Sequence, residues 1–447
     1  MKLDVKQGFE NTTNRSLHPG ADGWGTAVLL IERWLATQER VDALLEQLTP
    51  GLPAQERARA QHLFYGVVRW AGRIDGALTG LMSQPPRTKV RAILMVAGFE
   101  LQEQRLAADR TGAVAKIIHH AVEKAKTIAS PKEAGLVNAV ARKMAIRLDE
   151  PPKSLAEEFA HPEWLVSRWV KQFGAKVARQ LLEWNQQPAP VYARWRPAFA
   201  KAADGTDAVS VPDFLAPTKW PGFFEVKAGR WDDVRKLAHE GAIYLQDPST
   251  RLSVELLAPQ AGETILDACA APGGKSLMIA DAMQSGKLVA LDEEGPRLQR
   301  LRENLSRAPK TVEVSLMPAD LEKVGTVFFR DFSLPETYDA VLLDAPCSNT
   351  GVMRHRIDVK QRLQEGDFAQ HGNQQLALLH AAARMVRPGG RLVYSTCSLD
   401  AQENEAVMRA FFDSRAGGVF KREKHIVAYP WSDGHDGAAA FLLRKNG

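Results

Sequence analysis

The sequence predicts a multidomain protein: an all-α N-terminal bundle followed by an α/β domain built on a doubly wound parallel sheet. Three observations carry this prediction. The chain has 447 residues, more than a single hydrophobic core organises. Apolar residues recur at helical spacing from Trp24 to about Leu148. From about Gly241 the rhythm becomes strand, loop and helix, repeated, which is the pattern of a parallel sheet.

Residues 1–21 are polar and aperiodic and read as a loose tail. In the helical part, 22–150, Val28, Leu29, Ile31, Trp34 and Leu35 fall on one helical face, as do Val41, Leu44, Leu45 and Leu48. Gln61–Trp70 and Val90–Leu106 continue the pattern, with a break at Pro85 and Pro86. Pro151 and Pro152 mark a linker. Residues 151–240 read as linker helices and a small mixed α/β subdomain: His161–Trp184 is helical, while Val191–Trp195 and Gly222–Val226 read as short strands. In the last part, 241–447, five apolar runs read as strands: Thr264–Asp267, Lys287–Asp292, Val312–Leu316, Tyr338–Asp344 and Gly390–Ser395.

Composition narrows the function classes. A hydrophobic content of 45% with 25% charged residues is that of ordinary soluble globular protein. Three cysteines without a CxxC pair argue against a disulfide framework or a structural zinc site, and no metal ligand set is expected. The N-terminus lacks an apolar signal region and no run of 18 apolar residues occurs, so a cytoplasmic, non-membrane protein is expected. Charge is uneven: residues 1–150 carry +5, residues 151–250 about +1 and residues 251–447 about −1. A basic N-terminal third suits a polyanionic partner, although a solvated basic surface reads the same way.

Three of the apolar runs end in an acid, at Asp267, Asp292 and Asp344, and a fourth meets Asp320 four residues on. In a parallel sheet these ends share the edge where ligands bind. After Asp267 come Cys269, Ala270, Ala271, Pro272, Gly273, Gly274 and Lys275, then a helix from Ser276. Small residues let the backbone approach a ligand, and the helix start offers free N–H donors. Asp292 is placed to take both hydroxyls of a ribose, and Asp320 to accept from an adenine amino group. A P-loop would require glycine where Cys269 stands, and the G-x-G-x-x-G fingerprint is absent. A nucleoside without a pyrophosphate, such as S-adenosylmethionine, fits better.

Cys347 follows Asp344 by three residues, and Cys397 follows Ser395 by two, each in a short turn at a strand end. Neighbouring strands would bring both thiols to one pocket beside the cofactor. A thiol next to a methyl donor suits methylation at C5 of a pyrimidine, which is too poor a nucleophile unless a thiolate first adds to C6. A base must then remove the C5 proton before the thiol leaves. Asp344 can hydrogen-bond the pyrimidine edge. The target base has to be unstacked or single-stranded.

Taken together, Gln246–Thr250, Asp267–Lys275, Asp344–Gly351, Arg387–Gly390 and Tyr394–Ser398 resemble the Fmu/Sun family of RNA cytosine-5 methyltransferases. Gln402–Glu405 and His435–Gly437 look like that family's closing motifs, so the likeness covers 240–447 in order. The N-terminal part, ending in Gly135–Val140, resembles a NusB-like RNA-binding domain. That pairing is typical of the bacterial 16S rRNA members.

The resemblance implies a NusB-like bundle joined to a Rossmann-like S-adenosylmethionine-dependent methyltransferase domain. Cys397 would attack C6, and Cys347 would assist release, as base or through a base. Residues 269–275, Asp292, Asp320 and Asp344 would contact S-adenosylmethionine, with Asp344 also near the cytosine. The implied partner is RNA, 16S rRNA free or in an early small-subunit particle, and the chain is expected to act as a monomer. Asn349 departs from the family's usual Gly or Ala, Arg354–Asp358 lacks a frequent proline, Ala193–Trp195 replaces Arg-x-Asn, and Ala438–Ala440 replaces an aromatic-rich stretch. The alternatives are the same chemistry on tRNA or another rRNA site, and a non-catalytic RNA-binding assembly or antitermination factor. The presence of both thiols and Asp292 argues against the last.

Overall fold

The computed structural model describes residues 22–48, 51–107, 112–196 and 211–447; the polar tail expected at 1–21 lies outside them. The chain forms two compact units, one running to Gln186 and including Lys360–Arg362, the other Gln187–Val359 with Leu363–Gly447.

The first unit is helical throughout its described residues. Its main helices are Gly23–Thr37, Val41–Leu48, Ala54–Leu78, Thr88–Leu106, Ala113–Ile128 and Pro131–Asp149, followed by Leu155–Glu158, Glu163–Phe173 and Ala175–Gln186. Local chemistry sets the helix starts. Asp22 accepts from the Gly25 N–H at 2.7 Å, and Ser130 accepts from Glu133 N–H just ahead of Pro131 in the first turn, so each side chain satisfies an orphan donor. Thr88–Leu106 is the central helix: Ile93, Leu94, Met95, Val96 and Ala97 are consecutive and fully buried, which requires apolar neighbours on every side. Ala54–Leu78 approaches it through Gly66, where any Cβ would overlap the Phe99 ring. Among the described residues no helix is long and apolar enough to cross a membrane.

The second unit holds two sheets. The smaller comprises β1 (Tyr192–Trp195), β2 (Leu215–Pro217), β3 (Phe223–Val226) and β4 (Ile243–Leu245), antiparallel in the order β2-β3-β1-β4. The strands read from sequence at 191–195 and 222–226 are its centre; β2 and β4 are too short to carry a period. Arg194 in β1 and Arg196 just past its end bond Asp281 at 2.8 and 2.7 Å, all three side chains being buried.

The larger sheet contains β5 (Thr264–Asp267), β6 (Gly286–Asp292), β7 (Val312–Pro318), β8 (Tyr338–Asp344), β9 (Val386–Thr396), β10 (Phe420–Ala428) and β11 (Ala438–Lys445). Its order is β10-β11-β9-β8-β5-β6-β7, with β5 to β9 parallel. Successive strands step outward from β5 to β7; the chain then returns to lay β8 against the other side of β5. That reversal is the switch point at which such sheets bind ligands. Strand β8 shows why the parallel core reads as unbroken apolar sequence. Val341 and Leu343 pack among Leu378, Leu379, Val407 and Phe411 on one face; Ala340 and Leu342 pack among Val254, Leu257, Ile279 and Met283 on the other. Helices cover both faces, so both sets of alternate residues are apolar. The five parallel strands coincide with the five apolar runs. The antiparallel pair β10 and β11 is additional: β10 is an edge strand whose exposed Lys421–Lys424 run hides its period and guards the edge.

Candidate active site

The ends of β5, β6, β8 and β9 bring Asp267, Asp292, Asp344 and Cys397 to one sheet edge. Asp320 joins them two residues past β7, beside Asp292, whose carbonyl accepts the Ala319 N–H at 2.9 Å.

On the β5–β7 side, residues 268–273 form a tight loop into the helix Gly274–Met283. Gly273 has φ +103°, and a Cβ there would sit 2.9 Å from Leu301; glycine is needed for both reasons. Asn304 donates to the Pro272 carbonyl at 2.7 Å and holds the loop from outside. Asp292 accepts the Ala271 N–H at 2.8 Å. Asp267 accepts from Ser276 Oγ at 2.6 Å through one oxygen, while its other oxygen is buried without a partner. Burial pushes the Asp267 carboxyl up to about 7. The Cys269 thiol is likewise pushed up, by burial first and then by Asp292, Asp267 and Asp344. It is a neutral loop residue. The Asp320 carboxylate is bonded to Lys323, which holds it below the usual range.

This donor set fits an adenosyl sulfonium compound. It offers a strand-end carboxylate for the ribose, an unpaired buried carboxylate oxygen for an amino group, and a loop in which small residues keep the backbone bare.

On the β8–β9 side the two thiols are in contact, Sγ to Sγ 3.0 Å. The contact with Cys397, then burial, pushes the Cys347 thiol up, so Cys347 keeps its proton. Asn349 lies between the loops in a left-handed conformation, φ +61°. It donates to the Cys347 carbonyl at 2.8 Å, and its Oδ1 accepts from Cys397 Sγ at 3.3 Å. Asn tolerates this backbone better than most residues, so the departure from Gly or Ala also places an amide on the thiol. Asp344 accepts from Lys275 Nζ at 2.6 Å and from Ser395 Oγ at 2.8 Å. Burial alone would lower the Lys275 ammonium; Asp344 outweighs it and holds the amine above the ordinary lysine range, with Cys397 adding to the effect.

The cleft that Cys397 lines is also walled by Lys275, Asp344, Asp247 and Asp436. Asp247 and Asp436 lie within the Gln246–Thr250 and His435–Gly437 motifs, where the sequence alone gives them no role. Asp436 bonds His355 Nδ1 at 2.9 Å, His355 Nε2 meets the Pro190 carbonyl at 3.1 Å, and Asp247 accepts the Asp436 N–H at 3.2 Å. Burial, then the neighbouring Asp436 charge, pushes Asp247 up to about 6. Burial would lower His355, but Asp436 overrides it and raises the imidazole to about 9. The three bring ligand-type atoms within 4.8 Å of one another, but both imidazole nitrogens already have protein partners, and the group is an ion pair with a second carboxyl beside it. Glu403, also unassigned from sequence, is fully buried beneath the two thiol loops. The signal for it was an acid within a closing motif, indistinguishable from a surface residue.

Comparison with known proteins shows the family and the fold. The family model described as 16S rRNA methyltransferase RsmB/F matches residues 254–426, and the NusB family model matches residues 25–146, the helical bundle. Ribosomal RNA small subunit methyltransferase B of Erwinia tasmaniensis is 31% identical over 437 residues, covering 90% of this chain and 95% of that protein. The protein of the same name from Vibrio cholerae is 32% identical over 422 residues, covering 90% and 92%. The crystal structure of PH0851 shares the fold, with a TM-score of 0.74 at 23% identity over 96% of this chain and all of that one. The chain therefore belongs to the ribosomal RNA small subunit methyltransferase B family of rRNA methyltransferases.

Proposed function

We propose that the protein methylates C5 of a cytosine in 16S rRNA, through a covalent adduct between Cys397 and C6, with Cys347 assisting release. The observation that carries this reading is the thiol pair at 3.0 Å beside the Asp344–Lys275 ion pair. A single buried cysteine would be ordinary packing; two thiols in contact at the ligand edge of a parallel sheet call for thiol chemistry.

S-adenosylmethionine, when bound, supplies an electrophilic methyl group. Asp292, Asp320, Asp267 and the loop 269–275 would hold it over β5 to β7. Asp344 belongs to both halves: it is held by Lys275 from the cofactor loop and by Ser395 next to the thiols, so it orients the pyrimidine edge. Cys397 loses its thiol proton to solvent, and its sulfur electron pair then forms the S–C6 bond and makes C5 nucleophilic. After C5 has been alkylated its proton must leave for the S–C6 bond to break. Cys347, protonated at rest, lies against the departing sulfur: it passes its proton to Cys397 as the S–C6 bond breaks and the bond's electron pair returns to that sulfur, and as the thiolate so formed it takes up the C5 proton. Unpairing of the target cytosine precedes all of this, because the thiols lie inside a cleft. The names of the relatives support the small-subunit RNA as substrate, and the NusB-matched bundle supports an RNA-docking role for the N-terminal unit.

The test is to incubate the purified protein and S-adenosylmethionine with 16S rRNA, as free transcript and in immature small-subunit particles, and separately with tRNA, and read each RNA by bisulfite sequencing. One protected cytosine in 16S rRNA is expected. Protection in tRNA alone would overturn the substrate, and no protection in any RNA would overturn the reaction.

A further inference from the structure

We propose that Glu403 is a positioning residue that holds the two thiols in register by clamping the residue that follows each of them. Ser348 follows Cys347 and Ser398 follows Cys397. The Glu403 carboxylate accepts from Ser348 N–H at 2.9 Å and from Gln375 Nε2 at 3.0 Å through Oε1, and from the hydroxyls of both Ser348 and Ser398 through Oε2.

A fully buried carboxylate is tolerated only when its lone pairs are satisfied. Here four donors satisfy them, and they come from three separate segments: the loop after β8, the turn after β9 and the helix Asp367–Arg384. Because an ionised carboxylate only accepts, both serine hydroxyls must point inward, which fixes the two loops against each other. Surrounding bonds lock the carboxylate's own backbone: Tyr394 OH donates to the Glu403 carbonyl at 2.6 Å, and Asn404 Oδ1 accepts from Thr396 Oγ1 at 2.7 Å. Gln375 also donates to the Pro346 carbonyl at 2.9 Å, one residue before Cys347. The two sulfurs lie 3.0 Å apart, and the carboxylate grips the residue that follows each of them. The negative charge of Glu403 also adds to what keeps the proton on Cys347.

The catalytic importance of this clamp rests on the methyl-transfer reading above; the geometric role does not. The experiment therefore reads both, on the full chain. Glu403→Gln retains one acceptor oxygen and can reverse the hydrogen bonds to the two hydroxyls; Glu403→Ala removes the clamp; Ser348→Ala with Ser398→Ala removes its hydroxyl arms while leaving the carboxylate. For each variant the rate of Cys347–Cys397 disulfide formation with diamide (two thiols oxidised, the diazene reduced to the hydrazine) is followed by mass spectrometry. S-adenosylhomocysteine affinity and kcat and KM on 16S rRNA are measured beside it. The expected result is a graded loss, Gln milder than Ala, with disulfide rate and kcat falling together by about tenfold to a hundredfold while KM and S-adenosylhomocysteine affinity stay within about twofold. Wild-type disulfide rates in Glu403→Gln and in the double serine variant overturn the proposal. So does a parallel loss of kcat, KM and S-adenosylhomocysteine binding, the mark of general unfolding. If Glu403→Ala fails to fold, the serine variant decides. If the wild type methylates no cytosine, the functional reading falls and the disulfide rates alone judge the clamp.

Discussion

Lys275, in the first turn of the helix that follows the cofactor loop, bonds Asp344 at the end of β8 across the switch point, Nζ to Oδ2 2.6 Å. The pair ties the cofactor half of the cleft to the thiol half, and Asp344 keeps Lys275 charged despite its burial. Lys275→Met removes the cation and leaves Asp344 with Ser395 as its remaining side-chain partner, free to rotate away from the proposed target base. We expect kcat on 16S rRNA to fall by about a hundredfold, with RNA affinity unchanged. An unaltered kcat would refute an orienting role for the pair.

The two thiols differ in environment, and their variants should differ in kind. Cys347 is buried and holds its proton against Cys397, whereas Cys397, the proposed nucleophile, lines the cleft. Cys397→Ala should abolish both methylation and any covalent RNA adduct. Cys347→Ala should still add and methylate but fail to release, and an RNA-linked band should accumulate on a denaturing gel. Normal turnover by Cys347→Ala would exclude the release role.

Arg194 illustrates where reading the sequence reached its limit. Its segment, Ala193–Trp195, is marked in the sequence only as a departure from the family pattern, and nothing there shows that it is buried on Asp281 with Arg196. Removing the shared carboxylate strands two buried guanidinium groups, so Asp281→Ala should cost about 3–5 kcal/mol of stability, the usual penalty for breaking a buried ion pair. Urea denaturation of the full chain measures it, and a loss below about 1 kcal/mol would mean that water reaches the arginines.

The parallel strands were legible because both faces of each are covered, which leaves continuous apolar runs that end in the acids and thiols of the site. The loop 268–273 was legible for a related reason: only small residues and glycine fit where Gly273 closes on Leu301. What escaped depends on partners far along the chain. Glu403 meets Ser348 across 55 positions, and a buried acid in a polar stretch looks like any solvated one until its donors are known. Strand β10 escaped for the opposite reason, since its exposed charged face leaves too little periodicity to betray a strand.

The His355–Asp436 pair gives the fold a pH dependence with a definite sign. The folded-state imidazole is raised to about 9 from an ordinary 6.5. Folding therefore gains from this proton below pH 6.5, and the gain disappears as pH rises through 9, where the folded protein also gives the proton up. Asp247 works in the other direction. Its carboxyl is raised to about 6 from 3.8, so the unfolded chain releases that proton first, stability falls between pH 4 and 6, and the cost is complete above that range. Two variants separate these effects. His355→Gln should flatten the decline of Tm between pH 7 and 9.5 while lowering Tm at pH 6.5. Asp247→Asn keeps an acceptor oxygen for the Ser249 and Asp436 N–H groups and removes one charge, so it should raise Tm at pH 7.5 and leave it nearly unchanged at pH 4. Thermal melts across this range check both. Parallel Tm curves for His355→Gln and wild type would show that the imidazole titrates near its ordinary value and that Asp436 is balanced from elsewhere.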